Sequence, residues 1–207
     1  MSALNTAAQL IYVLSPMLGY APQIFKKKIL FSPLLSFMVV LSSMFRLIHC
    51  KIDKLEYMYS FQALLAITVH TTLIYMYKDE LSNYEHNFFR VGYYYRTKGV
   101  FYSYLQLFST ALMSLLLVNY FSSELLLSLC ITGNILLESS VGLAQLLLYK
   151  FDKKSNKRPL PKELFFFWVV GDICKTVLLI YTQAKKEIIL SVVFQLVVNT
   201  MLLSAKI

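Results

Sequence analysis

Four charged residues of this chain sit where a lipid bilayer would make charge costly. Arg46, Glu138, Asp172 and Lys175 each fall inside an apolar stretch of the sequence. A charge at the centre of a membrane helix costs roughly 2.5–3.5 kcal/mol on insertion scales, so such residues pair with one another or line a pathway. Two are cations and two are anions, and the set can neutralise itself. Asp172 and Lys175 are three residues apart and share one helix face. Glu138 has no cation near it in sequence, and a buried carboxyl without a fixed partner suits proton sensing. The chemistry on offer is a polar lining, with Arg46 or Lys175 for a phosphate or carboxylate and Asp172 or Glu138 for an amine or a proton. Ion pairs that only fix helix packing would leave the same pattern. Gln62 and Gln195 add amides that neither lipid nor apolar packing requires.

The elements that must position these residues are membrane helices. The chain has 207 residues, 57% hydrophobic and 15% charged, with 15 Tyr and 15 Phe. A soluble domain carries roughly a quarter charged residues. Continuous apolar runs, rather than alternation, predict helices and not a barrel. Seven spans follow: Leu4–Phe25, Pro33–Cys50, Tyr57–Tyr77, Val100–Phe121, Glu124–Tyr149, Glu163–Tyr181 and Ile188–Ala205. The second and sixth read as the least apolar. Seven spans of about 20 residues each leave only short connections, so a separate catalytic domain is excluded. No phosphate loop, nucleophile elbow or zinc-protease motif occurs, and the chain is read as a non-enzyme without a cofactor. Cys50, Cys130 and Cys174 are too scattered for a metal cluster or a disulfide framework.

The net charge of +9 is a matter of membrane orientation rather than of nucleic acid. Fourteen of the 20 Lys and Arg residues fall in 26–28, 78–99, 150–162 and the tail, and four on the opposite side at Lys51, Lys54, Lys185 and Lys186. The positive-inside rule then places the amino terminus in the lumen and the carboxyl terminus in the cytosol. The loop 78–99 interleaves aromatics with cations between His86 and Arg96. It reads either as a tether or as a segment lying on anionic headgroups.

The two halves look alike. Ala21-Pro22-Gln23 answers Leu143-Ala144-Gln145, Ser43 to Arg46 answers Asp172 to Lys175, and Phe61-Gln62 answers Phe194-Gln195. This order predicts three-helix units at 1–77 and 122–207, joined by an aromatic, basic loop and a linker helix over 78–121. Parallel repeats of this kind place a site between the halves near the midplane. Pro22 removes a backbone donor, and so either hinges the first span or ends it. Gly171 is expected to permit close helix approach, Trp168 to pack, and His70 to be a satisfied core histidine.

Gly19-Tyr20-Ala21-Pro22-Gln23-Ile24, followed by lysines and Ser32, resembles the first motif of the PQ-loop repeat family. Glu138 to Gln145 and Trp168 to Thr176 are similar to its solute carrier 66 member 2 branch, which includes fungal antagonists of phospholipid flippases. The second motif departs from the family with Ala144 in place of proline, and Ser43 stands where an amide is expected. The resemblance implies an all-α membrane protein of seven helices in a three-plus-one-plus-three arrangement related to the SWEET transporters. It implies a hinge at Pro22, Gln23, Ala144 and Gln145. It also implies scramblase-like movement of phospholipid across Golgi and endosomal membranes. Proton-coupled export of a small polar solute such as an amino acid, and a receptor or adaptor role, are the alternatives. The expected partners are therefore a phospholipid or a small polar solute, with protons, and not nucleic acid; the sequence leaves a homo-oligomer open.

Overall fold

In the computed structural model the protein is α-helical over the residues described, which are 9–14, 20, 33–55, 57–76, 100–151 and 162–204. A helical stretch at 9–14, α1, precedes α2 (Pro33–Ile52), α3 (Tyr57–Met76) and α4 (Val100–Phe121). Then come α5 (Ser123–Phe151), α6 (Lys162–Tyr181) and α7 (Lys186–Ser204). From α2 onward these follow the predicted spans to within a few residues. Windows in α2, α4, α5, α6 and α7 are long and apolar enough to cross a membrane. The chain is a helical, multi-pass membrane protein.

Among the longer described helices α3 lacks such a window, while α6, read from sequence as one of the least apolar, is among the most apolar. The α3 helix is as long as α2 but carries Gln62 and His70, which are 2% and 0% exposed. Those two polar residues face the protein interior. Large apolar side chains face outward instead, among them Leu105, Met113 and Leu117 on α4 and Val177, Val197 and Met201 on α6 and α7.

Two helix pairs repeat each other residue for residue. The start and end of α2 and the start of α3 fall at 33, 52 and 57; those of α6 and α7 fall 129 residues later, at 162, 181 and 186. The connecting turns match as well. Lys54 and Gln183, at the same separation, hold positive φ angles of 50° and 51°. Leu55 N donates to Cys50 O at 3.1 Å, and Ala184 N to Leu179 O at 2.9 Å. This is the six-to-one bond of a Schellman C-cap, in which a left-handed residue closes the helix. Leu55 and Ala184 then pack with Cys50 and Leu179 in one cluster, the apolar contact that accompanies such a cap.

The same separation corrects one sequence match. Arg46 answers Lys175 and Ser43 answers Asp172, as expected. Gln62, however, answers Ser191, and Gln195 answers Ala66; His70 answers Asn199. The Phe-Gln pairing inferred an insertion between the helices, but the two turns are of equal length and leave no room for one.

The α5 helix is central, packed on both α2 and α7, while α3 flanks α2 and α6 flanks α7. Ser122 opens it, its hydroxyl accepting a bond from Leu125 N at 3.2 Å. Two glycines set its close approaches. A Cβ at Gly133 would lie 2.4 Å from Phe45 on α2, and one at Gly142 would lie 2.8 Å from Val198 on α7. Small residues at such crossings let membrane helices gain contact that hydrophobicity alone does not supply. Gly171 does not act this way, because a Cβ there would meet nothing within 4 Å.

Candidate polar site between the helices

The α2 helix projects Arg46 towards α5, where Glu138 receives it in an ion pair through Nη2 and Oε2. Its other nitrogen, Nη1, donates to Gln62 Oε1 of α3 at 2.7 Å. Gln62 Nε2 in turn donates to the Tyr12 carbonyl at 3.1 Å. One guanidinium thus ties α5, α2, α3 and α1 together. Arg46 and Glu138 are each only 13% exposed. Glu138 therefore has a fixed partner, contrary to the expectation from sequence. The cation it lacked nearby comes from 92 residues away.

The second pair is looser. Lys175 Nζ lies 3.7 Å from Asp172 Oδ1, outside hydrogen-bonding length. Asp172 Oδ2 accepts a 2.7 Å bond from Asn199 Nδ2 of α7. That bond orients the Asn199 amide and turns its Oδ1 towards Gly142, where it is buried without a partner among the described residues. Asp172 is 2% exposed. It is the carboxylate less firmly neutralised, the reverse of the sequence-based ranking.

Both pairs open onto one cavity of about 90 Å³. Arg46, Gln62, Glu138, Asp172, Lys175 and Gln195 all line it. All six residues expected on the pathway therefore meet at one place, drawn from α2, α3, α5, α6 and α7. Gln195 Oε1 is buried there without a partner among the described residues. Liquid water takes up about 30 Å³ per molecule, whereas drug-sized pockets run to roughly 300 Å³ or more. The cavity in this state suits water or one small polar group.

Its wall also includes Tyr20, His70, Trp168 and Gly171. His70 is fully buried, with Ser36 Oγ 2.9 Å from its Nδ1 and the Tyr20 ring 4.4 Å away edge-on. Trp168 packs against Tyr20 and Phe165, with ring centroids 5.9 Å and 5.3 Å apart. Gly171 leaves space at the wall. Sequence reasoning missed Asn199, and also Ser42 and Asn134, whose 2.9 Å bond joins α2 to α5. The signal for Asn199 was present: Ser191, Gln195 and Asn199 recur every four residues along an otherwise apolar helix.

Pro22 and Gln23 lie outside the described residues, as does the aromatic loop. The backbone at Ala144 and Gln145 continues α5 without interruption, while their side chains are outside the described set. A third polar group lies away from the cavity, where the two equivalent turns meet. There the Asp53 carboxylate pairs with Lys185, and His49 Nε2 lies 3.1 Å from the same oxygen. Lys185, helped by His49, holds the Asp53 carboxyl below its usual range. Searches of family models, of curated proteins and of solved structures return no match to this chain.

Proposed function

We propose that this protein is a membrane carrier that passes a small polar solute through a central site between two helical repeats, coupled to protons. In this reading the chain has the three-plus-one-plus-three arrangement of the PQ-loop family, with α4 as the linker. One observation carries it. Five helices converge six polar and charged residues onto a single small cavity of zero net formal charge. A structural ion-pair network alone does not require a cavity, nor an acceptor such as Gln195 Oε1 that the described residues leave unsatisfied in it.

The roles follow from how tightly each group is held. Arg46 is engaged by Glu138 and Gln62, and so serves as scaffold. Lys175, at 3.7 Å from its partner, is the cation that can meet a carboxylate or phosphate. Asp172 and Gln195 supply acceptors for an amine or hydroxyl, and Asp172 is the carboxyl that exchanges the proton. The expected setting is an acidic organelle such as the Golgi or endosome, with the amino terminus lumenal. The test is uptake into proteoliposomes under an imposed proton gradient. A solute-dependent proton current that Asp172→Asn abolishes supports this reading; a current unchanged by that substitution overturns it.

Movement of phospholipid remains a second reading, favoured by α6. Gly171 faces open space at the cavity wall, and its neighbours Phe167 and Val170 are 43% and 42% exposed. A headgroup could enter sideways there while its tails stay in lipid. Fluorescent-lipid liposomes decide the matter: loss of signal to dithionite no faster than in empty vesicles removes this reading.

A further inference from the structure

We propose that α4 pairs with the α4 of a second copy of this chain through a heptad seam on its outer face, with Gln106 bonding to its own counterpart inside the bilayer. This pairing does not depend on what the central cavity carries.

The α4 helix carries two seams. Facing inward, Tyr104, Phe108, Leu115 and Val118 hold it to the rest of the chain. Tyr104 and Leu115 are buried, Phe108 stacks on Phe37 of α2 with ring centroids 5.0 Å apart, and Val118 packs on the cluster of Leu126 and Cys130. On the opposite side, Tyr102, Gln106, Ser109, Met113, Leu116 and Tyr120 follow one another at alternating steps of four and three residues, and all six are exposed. That spacing is the seven-residue repeat by which two helices wind around each other. The outer face is also the barest in the molecule: 11% of the apolar window of α4 is buried, against 28% or more in the other four spans.

Apolar exposure alone would suit lipid, but Gln106 does not. At 1.5 Å per residue it lies about 7 Å from the middle of α4, well inside a hydrocarbon core of about 15 Å half-thickness. Its amide meets no hydrogen-bonding partner among the described residues, and lipid tails offer none. The nearby hydroxyls make no such demand: Ser109 and Thr110 each donate at 2.9 Å to a carbonyl of their own helix, those of Leu105 and Gln106. A second copy supplies what is missing. Two copies inserted in the same sense are related by a twofold axis along the membrane normal, so their α4 helices run parallel and each seam residue meets itself. A carboxylate or an ammonium repels its own kind, whereas an amide is self-complementary, donating through Nε2 and accepting through Oε1. One amide at a seam position is also what fixes register in parallel coiled coils. Ser109, the next seam residue and close to the helix middle, is small enough to let the two backbones approach.

Energy transfer between donor-labelled and acceptor-labelled pools of the full chain, mixed in liposomes, tests the pairing. Transfer in the unsubstituted chain should exceed that of random mixing and should fall as added lipid dilutes the protein. Gln106→Leu should weaken the dimer roughly three- to twentyfold, the range that one interhelical hydrogen bond supports in a membrane. The face is read by disulfide formation under copper phenanthroline in a Cys174→Ser background. Met113→Cys and Leu116→Cys should each cross-link to their counterparts. Ser114→Cys is exposed as well but lies about 100° round the helix from Met113, and should stay monomeric. Cys50 and Cys130 are buried and should not cross-link in any variant. Transfer in the unsubstituted chain no higher than random mixing overturns the dimer, and that arm stands even if a variant fails to fold. Cross-linking at 114 as strong as at 113 overturns the seam, because another face or another partner then occupies the contact. A Gln106→Leu dimer of undiminished strength overturns the amide pair. Solute flux assayed separately reports on the carrier reading, so one can fail without the other.

Discussion

Arg46 and Glu138, 92 residues apart in sequence, form one partly buried ion pair across α2 and α5, and Gln62 completes it from α3. A pair of this kind is costly to break and easy to replace. Removing one partner of a buried pair costs about 3–5 kcal/mol, whereas an apolar pair of similar volume is often neutral or better. Arg46→Met alone and Glu138→Leu alone should each lower the melting temperature sharply in nanodiscs, and the double variant should recover most of it. Equal losses in the single and double variants would mean that the pair does not set the fold.

The glycines of α5 and α6 should respond in opposite ways to one methyl group. Gly142→Ala forces a Cβ to 2.8 Å from Val198 and 3.0 Å from Asn199 Oδ1. Overpacking of this kind costs about 1–3 kcal/mol, and it pushes Asn199 away from Asp172. Gly171→Ala meets nothing within 4 Å and gains helix propensity of up to about 1 kcal/mol. Thermal stability should fall for the first and hold or rise for the second. Solute flux should fall for both, because alanine at 171 narrows the cavity wall.

Acidification should leave the Asp53–Lys185 ion pair intact over the range an organelle reaches. Lys185 and His49 hold the Asp53 carboxyl below its ordinary range. A depressed carboxyl contributes stability that is fully present above the unfolded-state value of about 3.9 and is lost as pH falls through the folded-state value. The difference in melting temperature between the unsubstituted chain and Asp53→Asn should therefore hold or grow from pH 7 to about 5, since a proton on His49 favours the Asp53 carboxylate, and should shrink only below about pH 4. A difference that collapses by pH 6 would show that Asp53 is not held in this way.

The helices were legible because hydrophobic run length is a local property, and so were the six cavity residues, because polarity is conspicuous in an apolar span. Partnership was not legible. Glu138 looked unpaired since its cation lies 92 residues away, and Asp172 looked firmly paired since Lys175 lies three residues away. Proximity along a helix allowed the second contact, but the side chains stop at 3.7 Å. The repeat was visible at Arg46 and Lys175 yet slipped by one turn at Gln195. A shared residue type guided that match, while the true register is set by two C-caps whose left-handed residues, Lys54 and Gln183, share no chemistry.

Gln62 and Gln195, matched by sequence and now placed at different levels of the repeat, give the sharpest separation of scaffold from site. Gln62 accepts from Arg46 and donates to the Tyr12 carbonyl. Gln62→Leu removes the acceptor of a guanidinium nitrogen and the donor to the Tyr12 carbonyl, and the loss of a buried partner costs about 1–3 kcal/mol. Gln195 offers an oxygen that the described residues do not satisfy. Gln195→Leu removes that burden, so stability should hold or rise. If Gln195 meets a donor on the solute, the same substitution should weaken apparent affinity by about tenfold, the equivalent of one lost hydrogen bond of roughly 1.4 kcal/mol. Melting curves and solute flux on the two variants measure both. A stable Gln62→Leu, or a Gln195→Leu of undiminished affinity, would reverse the assignment of which glutamine builds the cavity and which one works in it.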